Sequence, residues 1–246
     1  MANLLEAKQV VLPYQRKRAP PFATLPQPLL MNSNANQPFP QNLFRRQDES
    51  PDAQFYQVPR FVTHIDEGAI TAVTQLYREY FPANGTLLDL MSSWVSHLPA
   101  EVAYQRVVGL GMNEAELRAN PRLNEYVVQD LNRQPTLPFE AGSFDGAAIC
   151  VSIDYLTQPV EVLRELGRVL RPEAPLVITF SNRCFPSKAI AAWHALDDHG
   201  HLQLVAQFLQ AAGNWHDLEL LDRSPKPRRS DPLFAVVARA GTPAAK

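Results

Sequence analysis

The chain has 246 residues, a formal net charge of −2, 46% hydrophobic residues and 20% charged ones. Such fractions suit a soluble globular chain with a sizeable core, and the near-neutral balance excludes a protein built to coat nucleic acid. No run approaches the roughly 18 apolar residues of a membrane span, and Cys150 and Cys184 are too few for a disulfide framework, so a reducing, cytoplasmic setting is expected.

The first sixty residues differ from the rest. They hold nine of the 22 prolines and no glycine, and residues 1–46 carry six basic residues against one acid. Proline at that density excludes helix and central strand. Residues 1–60 are therefore expected to form a partly disordered arm that offers a segment for a protein partner. Phe22, Leu29, Leu30, Phe39, Phe44 and Phe55 would let parts of it lie along a folded body. The start lacks the apolar segment and cleavage site of a signal peptide; its shortage of acids leaves an organelle transit peptide open.

From residue 61 the pattern is that of a folded domain, expected over 61–240 with a short tail at 241–246. Ile65, Ala69, Val73, Leu76 and Tyr80 recur at helical spacing behind a candidate N-cap, Asp66, and Pro82 ends the run. Five short apolar runs then read as buried strands: 86–91, 106–111, 125–131, 144–153 and 174–181. Between the last two, Pro159 opens an amphipathic helix with Val160, Leu163, Leu166, Val169 and Leu170 on one face. Two helical segments follow at 187–198 and 201–213, the second ended by Gly213. The runs 216–224 and 232–240 read as two closing strands. Apolar strands alternating with amphipathic helices imply a mostly parallel sheet covered on both faces. Ligands in such sheets bind at the carboxyl ends of the strands, where the strand order reverses. Polar residues concentrate at those ends here.

The string QDLNRQPTLPFEAGSFDGAAICVSIDYLTQPVEVLRELGRVLRPEAPLVITFSN resembles the class I S-adenosylmethionine-dependent methyltransferases, nearest the type 11 group. It presents, in order, the family's acid after strand 3, LPF, SFD, strand 4, a helix ending RVLRP, and strand 5. The resemblance implies a Rossmann-like, seven-stranded, mostly parallel sheet and the cofactor S-adenosyl-L-methionine. It places Asp89 beside the methionine end, Asp130 at the adenine amino group and Leu131 against the ring. Val151 and Ser152 fall where cofactor and acceptor meet.

Two positions depart from that pattern. The family's three glycines after strand 1 are replaced in DLMSSWVSH, where Ser92 and Ser93 are expected to cap a following helix and offer N–H groups to the cofactor, with Trp94 as a wall. The acid that binds the ribose falls on Gly111, leaving Asn113 or Glu114 for that task. The implied reaction is methyl transfer to a small-molecule or lipid-like acceptor, with Asp154 and Tyr155 as candidate bases and His97 behind them. A non-catalytic relative of the same fold, acting as a scaffold or assembly factor, is the main alternative. A dehydrogenase is disfavoured, since no G-x-G-x-x-G follows strand 1. The residues His194, Asp198, His199 and His201 read as a polar turn between helices rather than a metal site. Asn182, Arg183 and Lys188 are candidates to bind a substrate anion or the arm.

Overall fold

The computed structural model describes residues 39–225 and 229–241. Its centre is a seven-stranded sheet in the order β3-β2-β1-β4-β5-β7-β6. The parallel strands are β1 (Thr86–Leu90), β2 (Arg106–Gly111), β3 (Glu125–Val128), β4 (Gly146–Cys150) and β5 (Pro175–Phe180). The last two, β6 (Trp215–Asp222) and β7 (Phe234–Ala240), form an antiparallel hairpin whose β7 pairs with β5. Chain order runs outward from β1 to β3, then resumes at β4 on the other side of β1. The reversal between β1 and β4 opens a crevice at their carboxyl ends.

Side chains alternate across the strands with a period of two. Leu88, Leu90, Ala147, Ile149, Leu176, Ile178 and Phe180 face one layer, packed by helices α4 (Pro159–Val169) and α6 (Asp198–Ala212). Leu87, Val107, Ala148 and Val177 face the other, packed by α2 (Glu67–Tyr80) through Ala69, Val73, Leu76 and Tyr77. Asp66 caps α2 by accepting from the Ala69 N–H at 2.9 Å, and Gly213 ends α6 at φ 80°, a left-handed turn open to glycine.

Two elements differ from expectation. No helix follows β1: residues 91–105 run as a loop, so Ser92 and Ser93 cap nothing. The expected helix over 187–198 contracts to α5 (Ala191–His194), because Lys188 and its neighbours bond the segment before the domain instead.

That segment, residues 39–65, is a strap laid across the carboxyl ends of the strands. Phe39 packs edge-on against Phe208 of α6 (centroids 5.2 Å apart), and Arg46 bridges Ile190 in antiparallel fashion. A short helix α1 (Asp52–Phe55) follows. Thus Phe39, Phe44 and Phe55 do lie on the body, and packing extends back across the expected boundary at residue 61. Phe22, Leu29 and Leu30 lie outside the described residues.

Candidate active site

Asp89 stands near the end of β1, in the crevice. Its Oδ2 accepts the hydroxyls of Ser92 and Ser96, each at 2.6 Å. Asn120 donates to the Ser93 carbonyl and to Ser96 Oγ, both at 2.8 Å. Side-chain hydrogen bonds thus shape the loop that glycines and a helix would otherwise shape. Met91 takes φ 59° at the first bend. Opposite it, after β4, Val151 takes φ 43°. A left-handed β-branched residue is strained, and both strained positions flank the crevice.

The strap roofs this crevice into a cleft of about 280 Å³. Tyr56, Arg60, Val62 and His64 line it from above. Three connections hold the roof. Asn113 Nδ2 donates to the Tyr56 carbonyl at 2.8 Å. Arg60 N–H donates to Glu116 at 2.6 Å. The Trp94 indole N–H donates to the Val62 carbonyl at 3.0 Å. The Arg60 guanidinium lies 4.6 Å from the Phe55 ring centre and 5.3 Å from that of Phe185, within range of cation–π attraction.

A buried ionic knot fastens the strap to the segment after β5. Lys188 is 0% exposed and Asp52 5%. Arg46 Nη1 donates to both Asp52 oxygens at 2.8 Å, and Asn132 Nδ2 donates to Asp52 Oδ2 at 2.8 Å. Lys188 Nζ lies 3.2 Å from Asp52 Oδ1 and donates to the Ser50 carbonyl at 2.7 Å. Of the two roles open to Lys188, holding the arm is the one observed.

Eight of the ten candidate site residues meet at the crevice: Asp89, Ser92, Ser93, Asn113, Asp130, Leu131, Ser152 and Tyr155 line the cleft. Asp130 Oδ1 accepts the Asn132 N–H at 2.9 Å. Trp94 and Asp154 do not line it. Trp94 packs edge-on against Phe61 outside, pinning the strap. Asn113 has its polar atoms engaged, since its Oδ1 accepts the Glu116 N–H at 3.1 Å while its amide holds the strap. Glu114 points away and pairs with Arg118. Sequence reasoning missed Glu116 and the partners that fasten the strap. Arg46, Asp52, Asn132 and Lys188 are distant in sequence, and no local spacing joins them.

Burial sets the protonation of the site. It pushes Asp89 up to about 6 against its two serine hydrogen bonds, and it raises Tyr155 far above the ordinary phenol range, with Asp154 adding to it. Tyr155 therefore keeps its proton, and its oxygen accepts the Phe185 N–H at 2.8 Å. His97 is lowered by burial, and His64 by burial and by Arg60, so both imidazoles of the cleft are neutral near pH 7. Asp154, inside a 3-10 turn at Ile153–Tyr155, is pushed up to about 8 by burial. Its Oδ2 has no hydrogen-bond partner among the described residues. The unfolded carboxyl titrates near 4, so folding favours the protonated form. Stability is then fully present below about pH 4 and is lost as pH rises towards about 8. The Asp154→Asn variant, measured by its urea midpoint from pH 5 to 8, is expected to show a flatter profile and a higher midpoint at pH 8. An unchanged slope would mean Asp154 is ionised in the folded protein.

Residues 88–178 match the family model described as a methyltransferase domain. The matched stretch resembles a class I S-adenosylmethionine-dependent methyltransferase domain. Solved structures share its fold at low identity. A protein in complex with the Haloferax volcanii Trm112 methyltransferase activator is 14% identical over 73% of this chain and 93% of its own, with a TM-score of 0.52. Haemonchus contortus phosphoethanolamine N-methyltransferase 2, in complex with S-adenosyl-L-methionine, is 14% identical over 70% of this chain and 52% of its own, with a TM-score of 0.51. SpnF, a (4+2)-cyclase, is 17% identical over 69% and 81%, with a TM-score of 0.50. No curated protein sequence matches the chain. Among the described residues, no helix is long and apolar enough to cross a membrane.

The donor set suits the nucleoside half of the cofactor. Adenine and ribose present N–H and O–H donors and the sulfonium is positive, and besides Asp52, which is engaged by Arg46 and Lys188, three carboxyl groups, Asp89, Glu116 and Asp130, line the cleft.

Proposed function

We propose that the protein transfers a methyl group from S-adenosylmethionine to a small-molecule or lipid-like acceptor. The observation that carries this is the meeting of a matched methyltransferase domain with carboxyl-lined walls at the point where strand order reverses. When bound, the cofactor supplies an electrophilic methyl group on a positively charged sulfur. The protein's own residues bind, orient and exclude water, which is most of what an in-line displacement needs. Asp130 and Leu131 hold adenine. Asp89 faces the positive end through the loop it organises. The strap side of the cleft, with Tyr56, Phe185 and Leu156, takes an apolar acceptor. Where the acceptor atom carries a proton, His64 and His97 are the groups in the cleft able to receive it. Asp154 is outside the lining and Tyr155 holds its own proton, so neither serves as the base.

A second role, a scaffold on the same fold without catalysis, draws on the absent helix after β1 and on Asn113, whose polar atoms are engaged. Calorimetry with S-adenosylhomocysteine separates the two. Micromolar binding by the wild type, weakened at least tenfold or about 1.4 kcal/mol in Asp130→Ala, is the expected result. No heat and no thermal shift at millimolar ligand would leave the scaffold standing.

A further inference from the structure

The end of β2 is where folds of this kind place the acceptor for the ribose hydroxyls. In this chain that position is Gly111, and it is closed to any side chain: a Cβ there would collide with the Ser92 carbonyl oxygen. Asn113 holds the strap and Glu114 pairs with Arg118, so neither offers a free acceptor. One acid remains on that wall. Glu116 is 9% exposed, yet it lines the cleft.

Its local geometry is unusual for its place. Asn113 is the N-cap of α3 (Glu114–Ala119), and Glu116 sits three residues on. In a capping box the acid at that position reaches back to the N-cap's own N–H. Glu116 turns instead to the strap, where its Oε1 accepts the Arg60 N–H at 2.6 Å. Its Oε2 has no hydrogen-bond partner among the described residues. That oxygen is not sealed from solvent: it opens on the cleft, where a ligand hydroxyl can replace water as its donor.

We infer that Glu116 is the ribose acceptor of this protein, its Oε2 accepting a hydrogen bond from a hydroxyl of the 2′,3′-diol while Oε1 holds the strap. This role rests on the cofactor reading and adds to it. One carboxyl group then joins nucleoside recognition to the roof, since ribose on one oxygen and Arg60 on the other fix the same side chain. The Arg60 guanidinium carries that order to Phe55 and Phe185 on the acceptor side.

The test is calorimetry of the full chain with S-adenosylhomocysteine and its 2′,3′-dideoxy analogue. Wild type is expected to prefer the natural ligand at least tenfold. Glu116→Gln keeps an oxygen for Arg60 but turns the other end into a donor. It is expected to lose at least tenfold for S-adenosylhomocysteine and to bind the two ligands alike. Amide exchange at Arg60 is expected to slow when S-adenosylhomocysteine binds the wild type, and to slow less with the dideoxy analogue. The inference fails if wild type does not distinguish the two ligands, which requires no variant to fold. It fails equally if Glu116→Gln retains the wild-type preference. If wild type binds neither ligand, the cofactor reading falls and this inference with it.

Discussion

Replacing Asp52 by alanine is expected to cost about 3–5 kcal/mol and to lower the melting temperature by roughly 6–20 °C, the penalty for leaving buried charge without its partner in a domain of this size. Lys188 is 0% exposed and Arg46 7%, so neither cation can recover hydration where it stands. Burial works to raise the Asp52 carboxyl, but Arg46 and Asn132 outweigh it and leave the group ionised below its ordinary range. Lys188 keeps Asp48 at 3.2 Å, so Arg46 is the cation left most exposed to the loss. Release of the strap sets a ceiling on the cost, because the domain can shed residues 39–65 before its sheet melts. The variant should therefore show two signs: a lower urea midpoint and early proteolysis within the strap. Adding Arg46→Met to Asp52→Ala should restore part of the midpoint, since an apolar replacement removes the stranded charge. A loss under about 0.5 kcal/mol in the single variant would mean the knot is solvated rather than buried.

The sheet was legible because its signal is local. Apolar runs bounded by Gly, Pro and Asp at 86, 106, 146 and 175 fix strands whose two faces are both buried, and Asp66, Pro159 and Gly213 mark helix ends through their own backbone chemistry. Much of the crevice was legible for the same reason, since topology alone brings the ends of β1, β3 and β4 together. The roof was not. Proline-rich composition identifies a segment that cannot form helix or central strand, and it says nothing of whether Arg46 and Asp52 find Lys188 and Asn132. The missing helix after β1 has a related cause. Ser92 and Ser96 both donate to one Asp89 oxygen, and Asn120 ties the same loop to α3. Ser92, which looks like a helix cap in sequence, is drawn to a buried carboxylate instead. Glu116 escaped notice because the acidic residue expected to act lay nearer Gly111, and only the path of the strap explains why Asn113 is occupied.

At Gly111 the family pattern and the local geometry are in conflict. An aspartate at 111 would supply the carboxylate that the family resemblance expects at the end of β2. Gly111→Asp is nevertheless expected to destabilise the protein by about 3 kcal/mol or more, roughly 6–12 °C in melting temperature, and to weaken S-adenosylhomocysteine binding at least tenfold. The new Cβ would overlap the Ser92 carbonyl oxygen and press on Leu117 Cδ2, 3.1 Å away. Leu117 can turn aside, but the Ser92 carbonyl is backbone. Its residue is held by the Ser92 N–H bond to the Leu110 carbonyl at 2.8 Å and by the Ser92 hydroxyl on Asp89. Relief requires the whole 91–96 loop to lift, which breaks both bonds and opens the wall that Met91, Ser92 and Ser93 give to the cleft. Gly111→Ala carries the same Cβ without the charge, so it should reproduce most of the loss of stability. If Ala is tolerated and Asp is not, desolvation of the carboxylate rather than the clash is at fault. If Gly111→Asp folds as well as wild type and binds the ligand more tightly, the loop yields and the ribose has an acceptor on β2 after all.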